Sequence, residues 1–175
     1  MNLDVSTRGT SATAVDLVVP DLVREKIASR IFAQDHTVWG KDAEAESSIR
    51  LGWVDSAAES LKLLPELISL RQSLQESGLT RIVLCGMGGS SLAPEVLAAT
   101  ARVELVVLDS TYPSQVSESI TTDIAKTIVV VSSKSGSTVE TDSQKRAFEG
   151  AFERAGIAKT QRIIIVTDPD SPMHK

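Results

Sequence analysis

Two short stretches of the sequence carry groups suited to gripping an anion: GMGGSS at Gly86 to Ser91, and SSKSGSTVET at Ser132 to Thr141. Glycine tolerates positive φ and lets the main chain approach a ligand closely, and a turn that opens a helix presents free N–H groups to a negative charge. In the first stretch Gly88, Gly89 and Ser90 can meet phosphate or sugar oxygens, although a tight strand-to-helix turn would use the same glycines. In the second, the hydroxyls of Ser133, Ser135, Ser137 and Thr138 and the loop N–H groups can surround a phosphate, with Lys134 adding positive charge. A local reading competes: Ser137 followed by Glu140 fits a capping box, the serine closing a helix start and the glutamate reaching back. Capping gives no purpose to the other three hydroxyls, which favours anion binding.

Such loops work only if the chain positions them. From Gly78 onward, short continuous apolar runs alternate with helical stretches. The runs are RIVLC (Arg81 to Cys85), VELVVL (Val103 to Leu108), TIVVV (Thr127 to Val131) and RIIIV (Arg162 to Val166). Continuous rather than alternating apolar residues predict strands covered on both faces, and hence a parallel sheet. The stretches between them, 91–101, 114–125 and 137–155, have the lengths of crossover helices. The expected fold is α/β, a doubly wound parallel sheet in three layers. Ligands of such sheets bind beyond the carboxyl ends of the strands, at a switch in strand order, and both loops lie after strands.

Before Gly78 the texture is helical. Val19, Val23, Ile27 and Ile31 recur at helical spacing in one run, and Leu61, Leu64 and Ile68 in another. Pro20 is expected in the first turn of the first helix, Pro65 at a break or restart, and Gly78 at a helix stop. Trp39 and Trp53 are expected to pack in the core or between helices, and the first dozen residues to fray. The division is thus a tail and helical segment over 1–78 and an α/β domain over 79–175.

Composition bounds the function. The 175 residues are 42% hydrophobic and 23% charged, as in folded globular proteins. A formal net charge of −5 with no Lys/Arg cluster argues against nucleic acid as a partner and leaves a small ligand. Cys85 is the single cysteine, which excludes an intramolecular disulfide and fits a reducing cytoplasm. There is no signal-peptide pattern and no apolar run of the roughly 18 residues that a membrane helix needs.

GMGGSSLAP resembles the glycine-rich signature of the glucose-6-phosphate isomerase family, and SKSGSTVET resembles its phosphate-binding loop. VTDPDSP after the fourth run and GKDAEAESSIRLGW upstream are also similar to the family, the latter to bacterial members that include transaldolase fusions. The resemblance implies a sugar isomerase domain that interconverts glucose 6-phosphate and fructose 6-phosphate in glycolysis and gluconeogenesis, with no cofactor or metal, acting as a homo-oligomer such as a dimer. By the same resemblance Gly89 and Ser90 contact the sugar, while Ser133, the Lys134 backbone, Ser135 and Thr138 hold the phosphate, and Glu140 is structural. Met87 and Ala93 depart from the isoleucine and glycine usual there. The family domain has a fifth strand, a second such domain follows, and the family's proton-transfer groups lie there. This chain is therefore expected to be an N-terminal portion that holds no catalytic residue and does not isomerise alone. His36 and His174 match none of the family's groups.

Two other readings remain. Gly86, Gly88 and Ser91 form a broken G-x-G-x-x-G fingerprint, and Asp109 follows the second strand about 20 residues later, as in a dinucleotide-binding oxidoreductase domain. That reading gives the hydroxyl loop no role. The other is a non-catalytic sugar-phosphate-binding module regulating a partner, for which no basic recognition helix is visible.

Overall fold

The computed structural model describes residues 5–174. The chain divides into two compact units, Met1–Ile68 and Ser69–Lys175, the boundary falling within one helix.

The second unit is built on a parallel sheet of β1 (Arg81–Cys85), β2 (Val106–Leu108), β3 (Thr127–Ser132) and β4 (Ile163–Val166), in the order β2-β1-β3-β4. Cys85 stands beside Leu108 on one side and Val131 on the other, and Ser132 beside Val166. The connections are α6 (Gly89–Ala101), α7 (Pro113–Thr121) and α8 (Val139–Arg154). Crossovers between parallel strands are right-handed, and the chain moves one way from β1 to β2 and the other way from β2 to β3 to β4. This puts α6 on one face of the sheet and α7 with α8 on the other, where those two helices pack together. The three-layer α/β fold read from the sequence is therefore the one observed.

The core lies on the α8 face. Val83, Cys85, Leu108, Val129 and Val131 are buried beneath Phe148 and Phe152, which project from one side of α8 four residues apart with ring centroids 6.2 Å apart. Each such phenylalanine contributes about 2–3 kcal/mol by leaving water. Burial holds the Cys85 thiol protonated by pushing its pKa up to about 12, so this cysteine serves as a core side chain. The coverage expected on both faces is incomplete. Ile82 in β1, on the face of α6, and Ile165 and Val166 in the edge strand β4 are exposed, α6 lying mainly beside β2. In VELVVL only the last three residues pair as strand.

α5 (Leu64–Glu76) carries Pro65 in its first turn, where a missing N–H costs nothing, as expected. Gly78, at φ +72°, ends it: its N–H donates to Gln75 O (3.0 Å) and the Leu79 N–H to Leu74 O (2.9 Å), the paired bonds of a glycine-terminated helix.

The first unit comprises α1 (Thr10–Arg24), α2 (Ile27–Phe32), α3 (Glu44–Arg50) and α4 (Ser56–Lys62), linked by 3-10 turns over His36–Trp39, Lys41–Ala43 and Leu51–Asp55. Three expectations are corrected here. The helix begins at Thr10, inside the stretch read as a frayed tail, of which residues 1–4 lie outside the described residues. Pro20 consequently sits within α1, where it leaves the Asp16 carbonyl without its helical N–H partner. Trp39 and Trp53 are 48% and 59% exposed, lining a shallow groove with Ala43, Ser47 and Leu51. Among the described residues of this unit only Ser47 and Leu51 are buried, so its short helices offer no core for an indole to enter.

Candidate functional site

The switch in strand order falls between β1 and β3, where the chain leaves β1 toward β2 and returns on the opposite side. Both anion-suited loops begin there, one from each strand. Their closeness is measured at Gly86: a Cβ on this residue would stand 3.1 Å from the Ser132 carbonyl oxygen and 3.2 Å from Ser90 Cβ. A side chain here would require these neighbours to give by a few tenths of an ångström. Glycine thus serves contact between loops at this position.

The first loop turns at Gly88, φ +56°, the residue that opens α6. Its carbonyl accepts from the Ser91 and Leu92 N–H groups at 3.1 and 3.0 Å, and Ser91 Oγ donates to it at 3.1 Å. Ser91 is buried, so its hydroxyl closes the turn, while Gly88 and Gly89 are exposed and Ser90 half-buried. The N–H groups of Gly88 and Gly89 have no acceptor among the described residues, whereas the Ser90 N–H donates to Met87 O at 3.2 Å.

The second loop is held by its own hydroxyls. Ser133 is 3% exposed; its Oγ accepts from the Gly136 N–H at 3.2 Å and lies 3.1 Å from Thr138 Oγ1. The Ser133 N–H donates to Val166 O at 3.0 Å, fastening the loop to β4. Ser135 Oγ accepts from the Ser137 N–H at 3.2 Å and from the Ser137 hydroxyl at 3.0 Å. Lys134, Ser135 and Ser137 are exposed and Thr138 half-buried. Among the described residues the N–H groups of Lys134, Ser135 and Thr138 have no acceptor, so they are available to an anion.

The expected capping box is not formed. Thr138 is the residue before α8, without a side-chain capping bond, and the Ser137 hydroxyl is engaged with Ser135. The helix starts one residue later than the serine–glutamate spacing implies, because Gly136, at φ +64°, turns the chain first. The Ser133 hydroxyl has a different standing from the other three. It is buried inside the loop, whereas theirs lie at or near its surface.

The residues absent from the sequence reading are Thr167, Asp168 and Ser171, which pack against this loop from the segment after β4. The VTDPDSP motif was their signal. His36 lies 3.5 Å from Glu44 Oε1 in the first unit; His174 belongs to the segment after β4, where its Nδ1 accepts from the Asp170 N–H at 3.1 Å and its main-chain N–H donates to Ser171 O at 3.0 Å.

No protein-family profile matches the chain. Similar proteins are nevertheless found. A glucose-6-phosphate isomerase of Chlamydia pneumoniae is 34% identical over 153 residues, 83% of this chain and 27% of that protein. One from Geobacter sp. (strain M21) is 34% identical over 102 residues, 54% of this chain and 19% of that protein. Among solved structures, a glucose-6-phosphate isomerase from Chlamydia trachomatis superposes with a TM-score of 0.58 at 25% identity, covering 69% of this chain and 25% of that one. A hypothetical protein from Thermus thermophilus gives 0.65 at 27% identity, covering 93% and 37%. The chain spans about a fifth to a quarter of the length of these curated relatives. The likeness drawn from the two loops is shown: this chain is similar to glucose-6-phosphate isomerases, over most of its own length.

Proposed function

We propose, from that kinship with the glucose-6-phosphate isomerases, that this chain is the N-terminal, sugar-phosphate-anchoring portion of an enzyme interconverting glucose 6-phosphate and fructose 6-phosphate. The observation that carries the reading is the apposition of the two loops at the β1/β3 switch point, with Gly86 against Ser132. In this reading the free N–H groups of Lys134 and Ser135 and the hydroxyls of Ser135, Ser137 and Thr138 take the phosphate oxygens. Gly88, Gly89 and Ser90 approach the sugar. Ser133 shapes the loop from within, and the exposed Lys134 ammonium adds charge.

Isomerisation of an aldose to a ketose needs ring opening and proton transfer between C1 and C2, hence a base, an acid and a group to stabilise the developing oxyanion. Lys134 is the one ionisable side chain within 86–90 and 133–138. We assign these loops to anchoring and the proton transfers to groups outside this chain. Binding a phosphate that does not react still contributes to the rate, because it holds the reacting carbons in place. The dimer and the cytoplasmic location usual for such an enzyme belong to the same proposal. Among the described residues no helix is long and apolar enough to cross a membrane.

Thermal unfolding with added ligand tests the reading. Glucose 6-phosphate and inorganic phosphate are expected to stabilise the fold saturably, by about 2.7 kcal/mol at a hundred times the dissociation constant, and free glucose is not. Combined Ser135→Ala and Thr138→Val substitution is expected to remove the effect. Equal stabilisation of the double variant by phosphate would show that the anion sits elsewhere.

A further inference from the structure

The segment after β4 reaches back onto the hydroxyl loop. The Asp168 N–H donates to the Lys134 carbonyl oxygen at 3.2 Å, and Thr167 Oγ1 lies 2.7 Å from Ser171 Oγ. The Ser171 N–H donates in turn to Asp168 O at 3.3 Å, closing a tight turn. Ser171, 7% exposed, fills the space where Gly136 has no side chain: a Cβ there would meet Ser171 Oγ at 2.6 Å and the Met173 nitrogen at 3.0 Å.

This contact has a direction. In a trans peptide the carbonyl and the following N–H point opposite ways. Holding the Lys134 carbonyl toward the segment after β4 turns the Ser135 N–H away from it. That N–H has no acceptor among the described residues. The next N–H, of Gly136, is already bonded to the Ser133 carbonyl and hydroxyl oxygens, each at 3.2 Å. The loop is therefore gripped at Gly136 by Ser133 and at Lys134 by Asp168, and the peptide between the two grips carries the free donor.

We propose that the segment after β4 positions the phosphate loop: the Thr167–Ser171 hydroxyl pair holds the Asp168 N–H on the Lys134 carbonyl and so aims the Ser135 N–H at the anion. Thr167 and Ser171 are positioning residues and do not touch the ligand. The proposal rests on the phosphate reading of 133–138 given above.

The test compares the 175-residue chain with Thr167→Val, which keeps the shape and removes the hydroxyl, and Thr167→Ser, which restores it. Two readouts are taken by ¹⁵N-resolved NMR: the Ser135 and Gly136 amide resonances without ligand, and the dissociation constant for inorganic phosphate. Thr167→Val is expected to move both resonances and weaken phosphate binding about fivefold, the effect of losing one hydrogen bond, and Thr167→Ser to restore both. Ser171→Ala, read the same way, serves if the valine variant does not fold. If the parent binds phosphate and Thr167→Val or Ser171→Ala binds it equally well with unmoved loop resonances, the proposal is overturned while the phosphate reading stands, even if the melting temperature has fallen. A parent whose 133–138 amides ignore phosphate overturns the phosphate reading, and the aiming role with it.

Discussion

Gly136 meets two separate demands. Its φ of +64° lies in the left-handed region, and its missing Cβ leaves the space that Ser171 occupies. The positive φ favours glycine without requiring it, as Lys26, Gln34 and Asp170 adopt similar values; the close contacts exclude a Cβ, because the neighbours at 3.0 Å or less include main chain as well as a hydroxyl. Gly136→Ala is expected to destabilise the chain by about 2 kcal/mol or more, the left-handed conformation accounting for about 1 kcal/mol of it. Urea unfolding measures this, and a loss under about 0.5 kcal/mol would contradict the packing described. The sequence showed that a glycine interrupts the hydroxyls. That its empty side is filled by Ser171, 35 residues on, could not be read without the turn after β4.

Among the elements, the 3-10 turn His36–Trp39 depends on one carboxylate. Asp35 accepts from the Thr37 hydroxyl at 2.6 Å, from Arg30 Nε at 2.7 Å and from the Thr37 N–H at 2.9 Å. These bonds, the Thr37 hydroxyl first among them, hold its pKa well below the usual carboxylate range. A carboxyl group with a lowered folded-state pKa binds fewer protons folded than unfolded, so its stabilisation is complete above the unfolded value of about 3.9 and is lost as the pH falls toward the folded one. In a Trp53→Phe background, Trp39 fluorescence is expected to change as the pH falls below about 3.9. Asp35→Asn should remove part of that acid transition. An identical acid profile in the asparagine variant would show that the turn does not depend on this charge. Element boundaries followed local rules where those rules acted alone, as at Pro65 and Gly78. They departed where a helix ran on through Pro20, or where Gly136 delayed the start of α8.

At the scale of the whole molecule, apolar side chains are exposed along the helices before β1 and, within the sheet, at Ile82 and in the edge strand β4. β4 pairs with β3 on one side alone, and Val166 near its end is 53% exposed. Unpaired strand edges recruit other strands, and a charged residue on the edge discourages them. Sedimentation velocity over a wide concentration range is expected to show reversible self-association of this chain, weakened by Val166→Lys. A strictly monomeric species at every concentration would count against an edge-mediated contact.

The four apolar runs, their parallel order of succession and the two loops after β1 and β3 were determined by local patterning. Continuous valine and isoleucine stretches bounded by glycine and serine have few other ways to satisfy their main chain and bury their side chains. The likeness to glucose-6-phosphate isomerases came from the same residues. Tertiary structure decided what depends on which strands become neighbours. Placing β1 beside β3 set Gly86 against Ser132, and placing β3 beside β4 brought Thr167, Asp168 and Ser171 onto the hydroxyl loop. It also separated four similar hydroxyls by burial, taking Ser133 into the loop's interior and leaving Ser135, Ser137 and Thr138 at or near its surface. Hydroxyl spacing along a chain carries no information about which side of a turn is packed, since that follows from contacts made by residues distant in sequence.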